Sequence, residues 1–442
     1  MSMTYKPACI LTVDVEALSM RASDSHVDKL IYGRIGGEEW GIGKMMDVAD
    51  RHNIKMTFFL DFAEVETYGD EIIKVGKYIA QRGHDLQIHC HYKLLEKKVR
   101  ERFPNAGISY YTWYEDEEIS GYMVDYCLKQ YEKCTKNTPV IFRGGEYRFD
   151  KALLKQLKKK GIAADSSYSY LRPLKKPVKK QFTFENGIIE IPVGIIPEHG
   201  DSPLKVLNFN EAYLYPENEQ SVDICLEEYE RLFKSFYDYY GNDAIATLLM
   251  HGWSFCYEKE RFKNTGWIDV PNPYAVELFD RFLTYFKDKI NFITAASAIS
   301  TNTISFSDTV NFDTVFSLPE QCELKKRLEQ TEDFIKQKAK GRKVVIWGKG
   351  WIEARIIRVR ELHMLLDVEF YISRDAHKHA LWRGKPVKTF EEAGISPDKY
   401  YVFVLANTCF PEIRESLHNA GFHEYEDYYD IKTIHSDCSS FL

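Results

Sequence analysis

The sequence predicts an α/β protein in two parts, a barrel-like β/α domain over residues 1–300 and a smaller β/α domain over 341–442, joined by a linker and connecting helix at 301–340. Three observations lead there. Short β-rich apolar runs alternate with helical stretches along the first part, the order that builds a parallel sheet or barrel. The chain then turns polar and unpatterned between Ser300 and Phe316. After Gly341 the strand and helix alternation starts again.

Residues 9–15 open the chain as an apolar β-rich run. Met45, Met46, Val48 and Ala49 have helical spacing within 43–52 and lead into a second strand at 54–62. A helix at 71–80 is followed, after the turn at Gly83, by a third strand at 85–89. A longer helix over 118–134 leads to a fourth strand at 139–142, and the helix at 151–160 stops at Gly161, the usual C-terminal glycine. Further strands are expected at 162–165, 188–193, 244–251 and 290–294. Ser317-Leu-Pro-Glu320 reads as a capping box opening the connecting helix. In the second part, strands are expected at 344–347, 368–372 and 401–405, with a helix between the first two reaching Leu362.

Sixty-six acidic residues against fifty-nine basic ones give a net charge of −7, with 44% hydrophobic and 28% charged residues. That balance belongs to an ordinary globular chain; it argues against a disordered or coiled-coil protein and against a general nucleic-acid binder. No apolar run approaches the ~18–20 residues that span a bilayer. The apolar run at 10–13 is too short for a secretory signal, so a cytoplasmic location is expected. Nine scattered cysteines with no C-x-x-C pair suggest neither a disulfide framework nor a zinc ribbon. The basic cluster Lys175, Lys176, Lys179 and Lys180 reads as a solvated loop.

In parallel sheets, functional side chains gather at the carboxyl ends of strands. The first strand ends Asp14-Val15-Glu16, and alternation puts both carboxylates on one face. The third ends His89-Cys90-His91, and two imidazoles with one carboxylate make an N/N/O set that leaves positions open on a divalent ion. His84, at the start of that strand, reads as structural. The fourth runs into Arg143-Gly144-Gly145-Glu146-Tyr147, where the glycines allow close backbone approach and Arg143 can hold a carboxylate. A later strand ends His251-Gly252-Trp253, and His251 could protonate the amine that leaves when an amide is hydrolysed. Each feature has a plainer reading: solvated loop acids, a core histidine or a structural salt bridge.

Taken in order, Thr12-Val-Asp-Val-Glu16, the run from Gly83 to His91, Phe142-Arg-Gly-Gly145 and Leu249-Met-His251 resemble the polysaccharide deacetylase family, the NodB-homology or carbohydrate esterase 4 group. The resemblance spans roughly residues 5–300. It implies a distorted (β/α) barrel of NodB type that removes N-acetyl groups from glycans with a divalent metal, expected to be Zn²⁺. On the matching positions Asp14 is the base, Arg143 the group that orients it, His251 the acid and Asp165 the support of that acid. Gly144, Gly145, Tyr147 and Trp253 are expected around the substrate. Two positions depart from the pattern. The family's paired aspartates become Asp14 and Glu16, and its metal histidines, usually four apart, become His89 and His91 with Lys93 at the usual second position. The variant resembles deacetylase-like proteins of bacterial O-antigen and capsule clusters.

In the second part, Gly348-Lys-Gly350 follows a strand and precedes a helix, but Glu353 stands where a dinucleotide fingerprint has its third glycine, and Asp375 is only loosely placed as the acidic residue. This resembles small Rossmann-like domains attached to sugar-modifying enzymes. Gly348 and Gly350 are its candidate nucleotide-binding residues, and a purely structural or dimerising role is the alternative. The expected substrate is an acetamido sugar on a nucleotide-linked or lipid-linked glycan precursor, with a homo-oligomer as a further expectation. Two other functions stay open: a catalytically silent barrel that binds glycan or nucleotide-sugar, and a nucleotide-dependent transferase centred on 341–442.

Overall fold

A computed structural model describes residues 6–106, 113–169, 180–193, 195–196, 205–206, 222–258, 268–300, 309–312, 337–348, 368–374, 376, 381–382, 385–404 and 410–430. The chain divides into two compact units, residues 1–317 and 318–442. The capping box at 317–320, the helix through Leu362, Gly350, Asp375 and three lysines of the basic cluster lie outside the described residues. The fourth, Lys180, pairs with Asp243 at 2.6 Å. Among the described residues no helix is long and apolar enough to cross a membrane.

The first unit is built on a curled, half-barrel sheet of ten strands. We number them β1 (Ala8–Val15), β2 (Thr57–Asp61), β3 (Asp85–Cys90), β4 (Ile141–Gly144), β5 (Ala164–Asp165), β6 (Phe182–Phe184), β7 (Ile189–Glu190), β8 (Ile245–His251), β9 (Asn291–Ile293) and β10 (Thr309–Val310). Their order is β8-β1-β2-β3-β4-β5-β7-β6-β10, with β9 paired to the start of β1. Every pairing from β8 to β7 is parallel, and only β6 and β7 run antiparallel. Parallel strands need crossovers, and the helices α1 (Ile42–Arg51), α2 (Asp70–Gln81), α3 (Glu117–Tyr131) and α4 (Lys151–Lys159) supply them between β1 and β5.

The strands are buried on both faces, which is why they read as nearly continuous apolar runs; β1 is buried along all eight residues. α3 starts where Asp116 accepts the amides of Glu118 and Ile119, a polar N-cap. Helices α5 (Val222–Tyr240) and α6 (Pro273–Phe286) pack aromatic against aromatic, with Tyr229 and Phe282 rings 5.1 Å apart. Aromatic residues make up 14% of the chain, and Phe233, Phe236, Phe279, Phe282 and Phe286 are all buried in this core. The expected strand at 188–193 is shorter than its apolar pattern suggested, pairing only over Ile189–Glu190.

The second unit carries a six-stranded sheet: β11 (Lys343–Trp347), β12 (Val368–Ile372), β13 (Leu381–Trp382), β14 (Lys385–Lys388), β15 (Tyr400–Val404) and β16 (Tyr428–Asp430), in the order β13-β14-β12-β11-β15-β16. All pairs are parallel except β13 with β14. Its own core gathers Val345, Trp347, Ile372, Val402, Val404 and Leu417.

Candidate active site and metal centre

Register places the chemistry. Asp14 lies opposite His251 across β1 and β8, Asp61 opposite His89 across β2 and β3, and His89 opposite Arg143 across β3 and β4. Five neighbouring strands thus deliver their terminal polar side chains to one end of the sheet, as parallel α/β sheets do.

On one side of the site the fully buried Arg143 guanidinium holds Asp14 Oδ1 at 2.6 Å through Nη1. Its remaining donors reach Thr12 Oγ1, the Ser166 carbonyl and Ser166 Oγ at 3.2, 3.1 and 3.0 Å. The cation also lies 3.9 Å over the Phe59 ring. Burial favours the neutral Asp14 carboxyl, but the charge of Arg143, aided by His89 and His251, outweighs it and holds Asp14 below the usual 3.8. Asp14 is therefore a fixed anion.

On the other side Glu16, His89 and His91 converge, one ligand atom from each lying within 4.8 Å of the others. The His89 Nδ1 donates to the Arg143 carbonyl at 2.9 Å, and since a carbonyl only accepts, the neutral ring keeps its lone pair on Nε2. That Nε2 stands 3.8 Å from Glu16 Oε2. His91 Nδ1 lies 2.7 Å from Asp61 Oδ2 and 3.4 Å from Glu16 Oε2. Glu16 Oε2 is buried with no hydrogen-bond partner. A buried carboxylate oxygen without a donor costs free energy, and a cation shared with two imidazoles removes that cost, so this donor set fits a divalent ion. Without one, burial pushes Glu16 up to about 7 and His89 down to about 4. For His91 burial acts downward, but Glu16 and Asp61 raise it above its ordinary value.

His251 Nε2 faces the other Glu16 oxygen at 3.6 Å, and its ring stacks on Trp253 with centroids 4.8 Å apart. Burial, opposed by Asp14, takes His251 down to about 4, so the ring rests neutral. Trp253 is 3% exposed and packs with Leu30, Cys256 and Ile268. The sequence suggested it as a substrate contact; the structure buries it as the platform beneath His251.

Asp165 was expected to support His251. Its carboxylate instead accepts from Ser167 N and Ser167 Oγ at 2.9 and 3.0 Å and faces Glu190. Ser167 Oγ in turn accepts the Gly144 amide at 2.8 Å. Asp165 thus fastens the segment whose neighbouring Ser166 holds Arg143. Burial raises both acids of this pair, Asp165 to about 6 and Glu190 well above its ordinary range.

The glycines have distinct reasons. A Cβ on Gly144 would overlap the Arg148 carbonyl, and one on Gly145 would overlap the His91 ring. Beyond them Glu146 and Tyr147 take left-handed φ values of 55° and 56°, a local strain of the kind found beside functional sites. Lys93, at the family's usual second histidine position, pairs with Glu146 at 3.0 Å. Tyr147 is half-buried.

Sequence reasoning missed three buried acids. Asp61 holds His91; Glu64 accepts the Ala17 amide through both oxygens at 2.8 and 2.7 Å, clamping the backbone just after Glu16; Glu190 closes the pair with Asp165. Asp61 had a signal, because it is the carboxyl-terminal residue of a strand beside the two already singled out. His84 is structural as expected, accepting the Met56 amide at 3.1 Å. In the second unit the Gly348 amide donates to the Ile372 carbonyl at 2.9 Å and is spent within the sheet.

No protein-family model matches the chain, and no curated protein matches it. Solved structures do. A provisionally described polysaccharide deacetylase from Mycobacterium smegmatis is 16% identical, with a TM-score of 0.42 over 68% of this chain and 92% of that one. The catalytic domain of a peptidoglycan N-acetylglucosamine deacetylase from Eubacterium rectale is 12% identical, with a TM-score of 0.32 over 65% of this chain and 88% of that one. A carbohydrate esterase 4 pseudoenzyme from Bacillus anthracis is 11% identical, with a TM-score of 0.35 over 69% of each chain.

Proposed function

We propose that the first unit is a metal-dependent carbohydrate N-deacetylase acting on an acetamido sugar. The observation that carries this reading is the orphaned Glu16 Oε2 facing His89 and His91, with a fixed anion and a neutral imidazole on either side. Glu16, His89 and His91 would hold a divalent ion, which would supply Lewis-acid polarisation of the acyl carbonyl. Asp14, aimed by Arg143, takes a proton as water attacks the acyl carbon. The C–N bond breaks, and His251 gives a proton to the departing amine. Because His251 rests neutral, the proton it gives is the one the water lost, passed between the register-paired ends of β1 and β8.

Zn²⁺ is the metal this reading favours, and a nucleotide-linked or lipid-linked precursor of a bacterial surface polysaccharide is its substrate class. We assign the second unit as a Rossmann-like domain on its parallel sheet order and the strand before Gly348. The domain scheme 1–300, 301–340 and 341–442, a cytoplasmic site of action and homo-oligomerisation belong to the same proposal.

The test is acetate release by Zn²⁺-loaded protein from a UDP-linked N-acetylhexosamine and from chitooligosaccharides. Release that disappears in Glu16→Ala supports the reading. A metal-loaded protein that binds these sugars without releasing acetate overturns it in favour of a glycan-binding barrel, the reading favoured by the Lys93 ammonium at the site's edge.

A further inference from the structure

We propose that Asp61 is a positioning residue for the metal centre, one that fixes the tautomer and orientation of His91. The inference rests on the metal-site reading above and extends it to a residue that contacts no substrate.

Asp61 ends β2 and is fully buried. Both of its oxygens are engaged. Oδ1 accepts the Ala63 amide at 3.0 Å, capping the turn that follows β2, and the His91 amide at 3.3 Å. Oδ2 meets His91 Nδ1 at 2.7 Å. A carboxylate only accepts, so the neutral His91 ring carries its proton on Nδ1 and keeps its lone pair on Nε2. This is the carboxylate–histidine arrangement that orients a ligating imidazole and raises its basicity. His89 reaches the same tautomer by another route, through the Arg143 carbonyl. On its far side the His91 ring lies against Gly145, where any Cβ would overlap it. A carboxylate on one side and a bare backbone on the other confine the ring, with the Nδ1 edge that Asp61 holds also lying 3.4 Å from Glu16 Oε2.

The decisive variant is Asp61→Asn. Its amide oxygen is retained by the two backbone N–H groups at the Oδ1 position, which places the amide nitrogen against His91 Nδ1. That nitrogen donates, so the ring proton moves to Nε2 and the ligand lone pair is lost while the fold is kept. Wild type, Asp61→Asn and Asp61→Ala are titrated with Zn²⁺ against a chelator, and the metal-free proteins are compared by histidine ¹⁵N NMR. The expected result is roughly 10–100-fold weaker Zn²⁺ binding in both variants, with His91 changing tautomer in Asp61→Asn. Wild-type affinity in Asp61→Asn with an unchanged His91 spectrum overturns the inference. Failure of the wild type itself to bind Zn²⁺ overturns the metal reading instead, and the NMR comparison still decides whether Asp61 sets the tautomer.

Discussion

The two units use the same parallel-sheet plan and do opposite things with it. In the first, the strand ends bury Asp14, Glu16, Asp61, His89, His91, Arg143 and Asp165, with Glu64 and Glu190 behind them. In the second, none of the described charged side chains is buried, and the sheet core is Val345, Trp347, Phe370, Ile372, Val402 and Val404. Its polar ties include Arg342 to Asp427 at 2.6 Å and the buried Tyr428 to the exposed His418 at 3.0 Å. Burying so many charges is costly unless they are paired, so the first unit retains a network that stability alone does not require. The difference separates a sheet whose strand ends gather buried ionisable groups from one whose described part gathers apolar side chains.

The contrast is broken or sharpened most strongly at the acid and base. Asp14→Asn and His251→Ala should each lower the rate of acetate release by about 10²–10⁴-fold, measured with saturating Zn²⁺. Rates within a few-fold of wild type would dissolve the contrast. Next in size is Arg143→Met, which leaves Asp14 buried without its cation. It should cost about 3–5 kcal/mol in urea denaturation as well as activity.

A pH effect is expected at the structural His84. Burial lowers His84 to about 4 against an ordinary 6.5, so the unfolded chain binds a proton that the folded chain refuses between those values. Its contribution is intact above about pH 6.5 and falls as pH drops toward 4, by up to about 1.4 kcal/mol per pH unit. Denaturation of metal-free His84→Asn beside wild type should show a shallower acid loss in the variant. The smallest effect belongs to the second unit. Tyr428→Phe removes the bond to His418, should cost about 0.5–1.5 kcal/mol, and should leave acetate release unchanged.

Much of this was legible in the residues. The apolar runs at 9–15 and 244–251 gave strands because both faces are buried, and 85–89 gave one although Asp85, Gln87 and His89 alternate with Leu86 and Ile88. Asp14, Glu16, His89, His91, Arg143 and His251 were legible because each stands at a strand end, where a parallel sheet gathers its polar groups. The direction of Asp165 was not. Its partner depends on Glu190, brought beside it by the short pairing of β5 with β7. Nor was the burial of Trp253, which is set by Leu30, Cys256 and Ile268, distant in sequence or on another strand. Gly348 shows the same limit in the second unit, since a glycine turn does not reveal that its amide is already bonded to Ile372. Local pattern finds which residues reach the end of the sheet; long-range pairing decides what each one holds.

The central claim is that Glu16, His89 and His91 form one cation site. Calorimetric titration of chelator-stripped protein with Zn²⁺, beside Glu16→Ala, tests it most directly. The account predicts a single equivalent bound by the wild type and none at the same concentrations by the variant. Equal binding by both proteins, or none by either, would contradict it.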